Sequence, residues 1–436
     1  MLRPKSISIN YECRLINFIL PLIYILVKKN GEVPIYSFLL NLHPMNRIST
    51  LPVVLLMLAI MISCKRETRP ETFSRISTEV LQNAKAYATL EEATSTIGHR
   101  LTGSENGRKA EEYTYSKFKE YGFTDVQYQE FETKACISGG TPRGIHVERG
   151  HGPTIWFQVL VEFTCARNAG ENVLEGSAQG TRNLHRSEKT AIAIKNGAKG
   201  VVIFNQVDGG VLLTGTASVT GELIPVPAVC IGKEKGIELK EKLKAGEKIE
   251  AQIKMTNHSD LIKARNVIAT LKGSELPDEK IIIGGHLDSW DLSTGAIDNG
   301  IGSFAILDIA RAFKANNLKP KRTIQFVMFM GEEQGLLGST HMVKEAVKDG
   351  TIESVKYMFN IDMGGNPIGV NAGGKLNDTT FFKTIGEEIA AIDTVYKNRF
   401  SNRSGLHSDH QPFMLEGVPN LSIISNLDRS IYRCYH

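Results

Sequence analysis

Three short apolar runs in the second half of the chain share one kind of ending, and that ending restricts the fold more than any other feature. Lys280 to Ile283 runs into Gly284-Gly285-His286-Leu287-Asp288, Thr323 to Met330 into Gly331-Glu332-Glu333-Gln334-Gly335, and Tyr357 to Ile361 into Asp362-Met363-Gly364-Gly365. Apolar runs this short that stop at glycine or an acid are the pattern of strands buried on both faces. Ala264 to Leu271 reads as a further strand, and Gly302 to Phe313 and Gly338 to Ala346 as helices. The alternation implies an α/β fold with a mainly parallel sheet sandwiched by helices. Reactive groups in such sheets gather at the carboxyl ends of the strands. His286, Asp288, Glu332, Glu333 and Asp362 all stand at such ends.

The chain is long enough to surround such a sheet. Its 436 residues are 42% hydrophobic and 22% charged, which excludes a disordered tail or a disulfide miniprotein. The 51 Lys and Arg exceed the 47 Asp and Glu by too little for a nucleic-acid binder. The surplus lies in residues 1 to 64, so the remainder is formally neutral. The six cysteines lie far apart and form no thiolate zinc site; Cys136 with Cys165 is the one pair weighed as a disulfide, against unpaired thiols.

Two apolar runs open the chain. Leu15 to Val27 is interrupted by Pro21 and is short for a membrane span. Leu51 to Ile62 follows Arg47 and ends at Ser63-Cys64, the layout of a secretory signal. Ser63-Cys64 resembles a bacterial lipobox, in which the cysteine is acylated. The expectation is therefore that Met45 is the start, that 45–64 is a signal peptide with a lipobox, and that the product is exported, as a periplasmic or cell-surface lipoprotein or otherwise secreted. Residues 1–44 are then read as upstream sequence translated in error, with a genuine N-terminal anchor as the competing idea.

Past a polar linker, Thr102-Gly103-Ser104 to Gly122 reads as a turn and a helix, with Ala110, Tyr113, Phe118 and Tyr121 at helical spacing. Val126 to Phe131 alternates as a strand. Thr190 to Asn196 reads as helix, Gly200 to Phe204 as a buried strand, and Val226 to Ile231 and Ile249 to Ile253 as further strands. This middle region forms its own α/β unit. The expected division is a catalytic α/β domain in two parts, 65–131 and 263–436, around an inserted domain at 132–262.

The chemistry lies in the strand endings. His286 can coordinate a metal while Asp288 orients its ring. Asp298, in the Gly-rich Gly295 to Gly302 turn, can bridge two cations. Adjacent Glu332 and Glu333 repel each other next to a core, a conflict that a metal resolves, with one a ligand and the other a general base. Nitrogen and oxygen donors without thiolate suit Zn²⁺, and two ions about 3.5–4 Å apart can share a hydroxide nucleophile. Metal-assisted hydrolysis is the reaction class.

These residues resemble the co-catalytic zinc exopeptidase family that contains bacterial leucyl aminopeptidases and carboxypeptidase Q, along Ile97 to Tyr121 and Ala264 to His436. GGHLDSWD at Gly284 to Asp291 and EEQG at Glu332 to Gly335 are most similar to the carboxypeptidase Q branch. Arg182 to Ile231 resembles the protease-associated domain inserted in that family, whereas Gly140 to Gly180 departs from it. The resemblance implies two Zn²⁺ ions. His286 and Asp362 would hold one, Asp298 would bridge, and Glu333 would hold the other, with Glu332 the general base and Asp288 steering His286. It also implies a late histidine ligand in a Tyr-His segment, here Tyr435-His436, weighed against His410 and His407 in Gly405 to Phe413. The family pattern continues past this point, so the chain is read as truncated.

The function expected is that of a zinc-dependent exopeptidase, either an aminopeptidase or a dipeptidase of the carboxypeptidase Q kind. Its expected partners are peptide or dipeptide substrates, a membrane through acylated Cys64, and a second copy of itself. The alternatives are a peptidase-shaped binding protein that has lost catalysis and a glutaminyl cyclase-like transferase.

Overall fold

A computed structural model describes residues 68–138, 185–205, 207–212, 214–218, 223–247, 249, 253, 257–374, 379–428 and 431. The stretch before Thr102, read above as a polar linker, is instead largely helical. Helix α1 spans Arg69–Asn83 and α2 spans Ala86–Thr96. Thr68 and Glu71 close a reciprocal capping box at the start of α1. Phe73, Ile76 and Val80, spaced three and four apart, are fully buried. That stripe is narrow and set among polar residues, which is why composition hides it. Helix α3 (Glu105–Glu120) follows, its first turn capped by the Ser104 hydroxyl, which accepts the Gly107 N–H at 3.0 Å. Ala110 and Phe118 are buried, and Tyr113 and Tyr121 pack at the margin of the same core.

Strand β1 (Asp125–Ser138) runs on past the alternating segment expected at Val126 to Phe131. Next come α4 (Arg186–Lys195), β2 (Val201–Phe204), β3 (Ala228–Ile231) and α5 (Lys233–Lys244), in which β2 and β3 pair in parallel as a sheet of their own. Ile249 and Ile253 are not in a strand, and 250–252 between them fall outside the described residues. Strand β4 (Asn257–Leu271) returns antiparallel to β1, pairing Asp125 with Thr270 at one end and Ser138 with Asn257 at the other. The ladder passes through both Glu132 and Lys263 without a break.

The large sheet continues with β5 (Leu276–His286), α6 (Ile301–Ala315), β6 (Arg322–Phe329), α7 (Leu337–Lys348) and β7 (Val355–Asn360). It ends, among the described residues, with β8 (Pro367–Asn371), α8 (Thr379–Ala390), β9 (Arg399–Ser401), α9 (His410–Leu415) and β10 (Asn420–Ser425). The large sheet has the order β1-β4-β6-β5-β7-β10-β8-β9. Its centre, β6-β5-β7-β10, is parallel; β1 and β4 add an antiparallel edge, and β8 runs antiparallel to β10.

Period-two alternation divides the strand side chains between two cores. Ile281 and Ile283 of β5, with Ile324, Phe326 and Met328 of β6, join the core formed with α1, α2, α3 and α6. Ile282, Val327 and Phe329 point the other way, toward Met342 and Val343 of α7 and Phe413 of α9. Both faces are covered, so the strands read as unbroken apolar runs. Helix α6 lies deep in the first core. Its buried Asp308 is bonded by Arg311, which also reaches Glu79 of α1 at 2.6 Å.

Among the described residues no helix is long and apolar enough to cross a membrane. Leu15 to Val27, Leu51 to Ile62, Cys64, Gly140 to Gly180 and His436 lie outside the described residues, as do the side chains on which a Cys136–Cys165 pairing would rest.

Phe326 meets Phe123 and Phe313 edge-on, with ring centroids 5.7 and 5.8 Å away, and is fully buried. Phe326→Ala is expected to lower unfolding stability by about 3–5 kcal/mol, measured by urea denaturation of the metal-free protein.

Candidate metal centre

Each functional side chain is delivered by a strand end or by the turn that follows it. His286 is the last residue of β5 and is buried. Its Nδ1 lies 3.1 Å from the main-chain carbonyl oxygen of Asp288. A carbonyl can only accept, so Nδ1 carries a proton and Nε2 is turned toward the acids. Nε2 stands 3.1 Å from Asp298 Oδ1, 3.6 Å from Asp362 Oδ1 and 3.9 Å from Glu332 Oε2. Two groups with donor atoms within 4.8 Å of one another result: His286 with Glu332 and Asp362, and His286 with Asp298 and Glu333.

The Asp288 carboxylate is 3.6 Å from Nδ1, so it touches the ring less closely than its own carbonyl does. Its two oxygens accept the main-chain N–H groups of Glu332 and Glu333 at 3.2 and 3.3 Å. Asp288 therefore ties the loop after β5 to the loop after β6. Asn266 of β4 fastens that second loop from the other side, accepting the Met330 N–H at 3.1 Å and donating to the Gly338 carbonyl at 2.9 Å. Gly331 turns the chain there with φ +82°, and a Cβ at that position would lie 2.9 Å from Leu337 Cβ.

Asp362 follows β7, and its Oδ2 accepts the Ser408 hydroxyl at 2.6 Å. Asn360, the last residue of β7, donates to Ser408 Oγ at 2.7 Å. Asn299 braces the Asp298 turn, donating to the Ile361 carbonyl at 2.9 Å and accepting the Met363 and Gly302 N–H groups at 3.0 and 3.2 Å. These braces link the Asp298 turn and the 405–410 loop to the end of β7.

The electrostatics express crowding. Burial raises the Glu332 carboxyl well above its ordinary range; the His286 charge counteracts this, while Glu333, Asp362 and Asp409 add to it. Burial likewise raises Glu333, with Asp298 the strongest neighbouring acid. Burial pushes the Asp409 carboxyl from 3.8 to about 7. Burial disfavours the His286 imidazolium, yet the surrounding acids, Glu332 foremost, hold its pKa well above 6.5. One imidazole and several acids with no thiolate among them form a donor set that fits a divalent cation such as zinc.

Of the sequence-predicted residues, His286, Asp288, Asp298, Glu332, Glu333 and Asp362 thus come together. His436 lies outside the described residues. His410 is held by the Gly405 carbonyl and Asn360, and His407 is exposed and stacked on His185, so neither belongs to the two donor groups. Sequence reasoning missed Arg100, which is fully buried behind the His286 loop. The available signal was a lone charge in the Gly98-His99-Arg100-Leu101 turn before α3.

Two family models match the chain: Peptidase family M28 over residues 266–436 and the PA domain over 158–239. Carboxypeptidase Q of Xenopus laevis is 25% identical over 384 residues, covering 79% of this chain and 78% of that protein. Aminopeptidase YwaD of Bacillus subtilis is 27% identical over 358 residues, covering 78% and 75%. Among solved structures, an aminopeptidase from Aneurinibacillus sp. strain AM-1 has a TM-score of 0.58 at 27% identity, covering 81% of this chain and 87% of that one. BSAP, a zinc aminopeptidase from Bacillus subtilis, has a TM-score of 0.54 at 25% identity, covering 79% and 85%.

The raised acids set a pH dependence for the metal-free protein. Between 3.8 and about 7 the folded state keeps the Asp409 proton that the unfolded state loses, so stability falls as pH rises through that window. The raised His286 acts in the same sense, its contribution complete below 6.5 and lost as pH climbs through its folded value. In chelator, the melting temperature is expected to fall from about pH 5 to pH 8, with a shallower slope in Asp409→Asn. Saturating zinc should abolish the fall. A melting temperature that rises over this range without metal would contradict the assignment.

Proposed function

We propose that this chain is a zinc exopeptidase of the M28 family, which its C-terminal part matches, and that it hydrolyses peptide bonds next to a chain terminus with two zinc ions, for which His286, Asp298, Glu333, Asp362 and His436 are the proposed ligands. His286 and Asp362 would hold one ion and Glu333 with His436 the other, with Asp298 available to both. The observation that carries the reading is the approach of His286 Nε2 to within 4 Å of Asp298 in the turn before α6, of Asp362 after β7 and of Glu332 after β6. The binding-protein reading has less support, because an idle site has no need to hold so many mutually repelling acids together.

Zinc in this site would polarise the scissile carbonyl and make water a better nucleophile at neutral pH. The protein's own groups do the rest. Glu332 takes a proton at its carboxylate from the attacking water and delivers it to the nitrogen of the leaving amine. Asp288 positions Glu332 and Glu333 through their main-chain N–H groups and His286 through its ring. His286, Asp298 and Glu333 are buried, which limits the access of bulk water to them, while Glu332 and Asp362 are only partly covered.

Peptides or dipeptides are the proposed substrates, in line with relatives that are aminopeptidases and carboxypeptidases by name. The reading keeps an insert within residues 132–262, beyond the β1–β4 ribbon that ends at Ser138 and Asn257, with the catalytic domain supplied by 65–131 and 263–436. It also includes export through the signal at 45–64, membrane attachment through acylated Cys64, and a homodimer. The support for export and attachment is the apolar Leu51 to Ile62 run ending at Ser63-Cys64.

Aminoacyl anilides and dipeptides are expected to be hydrolysed, and a strong chelator to abolish the activity until zinc is restored. Glu332→Gln is expected to lower kcat by roughly 10²- to 10⁴-fold with zinc content kept, read by steady-state kinetics beside metal analysis. Activity that survives complete removal of metal would overturn the proposal.

A further inference from the structure

We infer that Arg100 is a positioning residue for the metal centre, setting the spacing between the His286 strand end and the Asp298 turn. The inference rests on the zinc reading above.

Arg100 is fully buried, yet its guanidinium contacts no carboxylate within hydrogen-bonding distance among the described residues. Its three nitrogens all donate to main-chain carbonyls of one loop: Nε to Leu287 at 2.6 Å, Nη1 to Thr294 at 2.9 Å and Nη2 to Gly295 at 2.8 Å. Its own main-chain N–H donates to Ser289 Oγ at 3.0 Å. These partners lie at the two ends of the segment joining the proposed ligands. Leu287 sits between His286 and Asp288. The Gly295 carbonyl also accepts the Gly300 N–H at 2.9 Å, closing the turn that carries Asp298. The planar fork thus ties the backbone beside His286 to the turn that carries Asp298.

The contact is too close to be incidental. Gly295 adopts φ +61°, and a Cβ there would fall 2.2 Å from Ser289 Cβ and 2.9 Å from Arg100 Nη2. Only a bare glycine lets the carbonyl reach the guanidinium. A cation serving merely to balance Asp288, Asp298 and Glu333 would bond to them; Arg100 is attracted by their charge through space, yet its guanidinium bonds only neutral carbonyls, so its geometry acts on the backbone that carries the ligands.

Arg and Lys carry the same charge but differ in reach. An ammonium cannot donate along three directions in one plane to carbonyls spread over Leu287 to Gly295. Arg100→Lys therefore keeps the charge and removes the positioning, whereas Gly295→Ala keeps Arg100 and displaces one of its carbonyls.

The experiment measures zinc affinity and stoichiometry by competition with a chromophoric chelator, together with the visible spectrum of the cobalt-substituted protein. Wild type, Arg100→Lys and Gly295→Ala are compared. Both variants are expected to bind zinc roughly 10- to 100-fold more weakly and to show a shifted cobalt spectrum. Where Arg100→Lys does not fold, Gly295→Ala alone decides. Wild-type affinity and an unchanged cobalt spectrum in the folded variants would overturn the role of Arg100. A wild-type protein that binds no zinc would instead overturn the function reading.

Discussion

The repulsion among acids brought to one rim of a buried sheet is the constraint on which the rest of the structure depends. Glu332, Glu333, Asp298 and Asp362 cannot sit in either core, and the carboxyl ends of β5, β6 and β7 are where the chain leaves the sheet while still shielded from water. Once there, burial first and the neighbouring acids second raise the carboxyls of Glu332 and Glu333, and the surrounding acids hold the His286 pKa above its ordinary value. Such an arrangement is stable only with cations or protons between them, so stability and chemistry share one set of side chains.

Neutral donors and acceptors do most of the work of holding these acids in place. Asn266, Asn299, Asn360 and Ser408 bond loops and ligands without adding charge. A charged brace in their positions would compete with a divalent ion for the same oxygens. Amides and hydroxyls fix direction and leave the electrostatic field to the metal. The central parallel strands supply the rigidity, since both of their faces are packed.

The sheet and the clustering of its acids were legible because they follow from period and spacing. Ile281 to Ile283 and Ile324 to Met328 alternate between two cores, which produces unbroken apolar runs, and the glycines and acids that end them mark where each strand stops. Helix α1 was not legible from composition, since only Phe73, Ile76 and Val80 of its fifteen residues form the stripe; the Thr68–Glu71 capping pair was the sign available. Arg100 could not be placed because its partners are backbone carbonyls nearly two hundred positions away, and a carbonyl leaves no trace in a sequence. The same holds for Ser408, whose contact with Asp362 depends on how α9 packs beside β7.

The antiparallel ribbon formed by β1 and β4 also sets how this architecture can diversify. Ser138 and Asn257 are register partners, so the chain departs and re-enters through points only about 5 Å apart. Whatever is threaded between them can be enlarged, trimmed or exchanged, because the ribbon presents the same two neighbouring ends to any passenger. The hydrolytic half can then keep its geometry while a different accessory unit is grafted above it, an economical route to new specificity among relatives that share one chemistry.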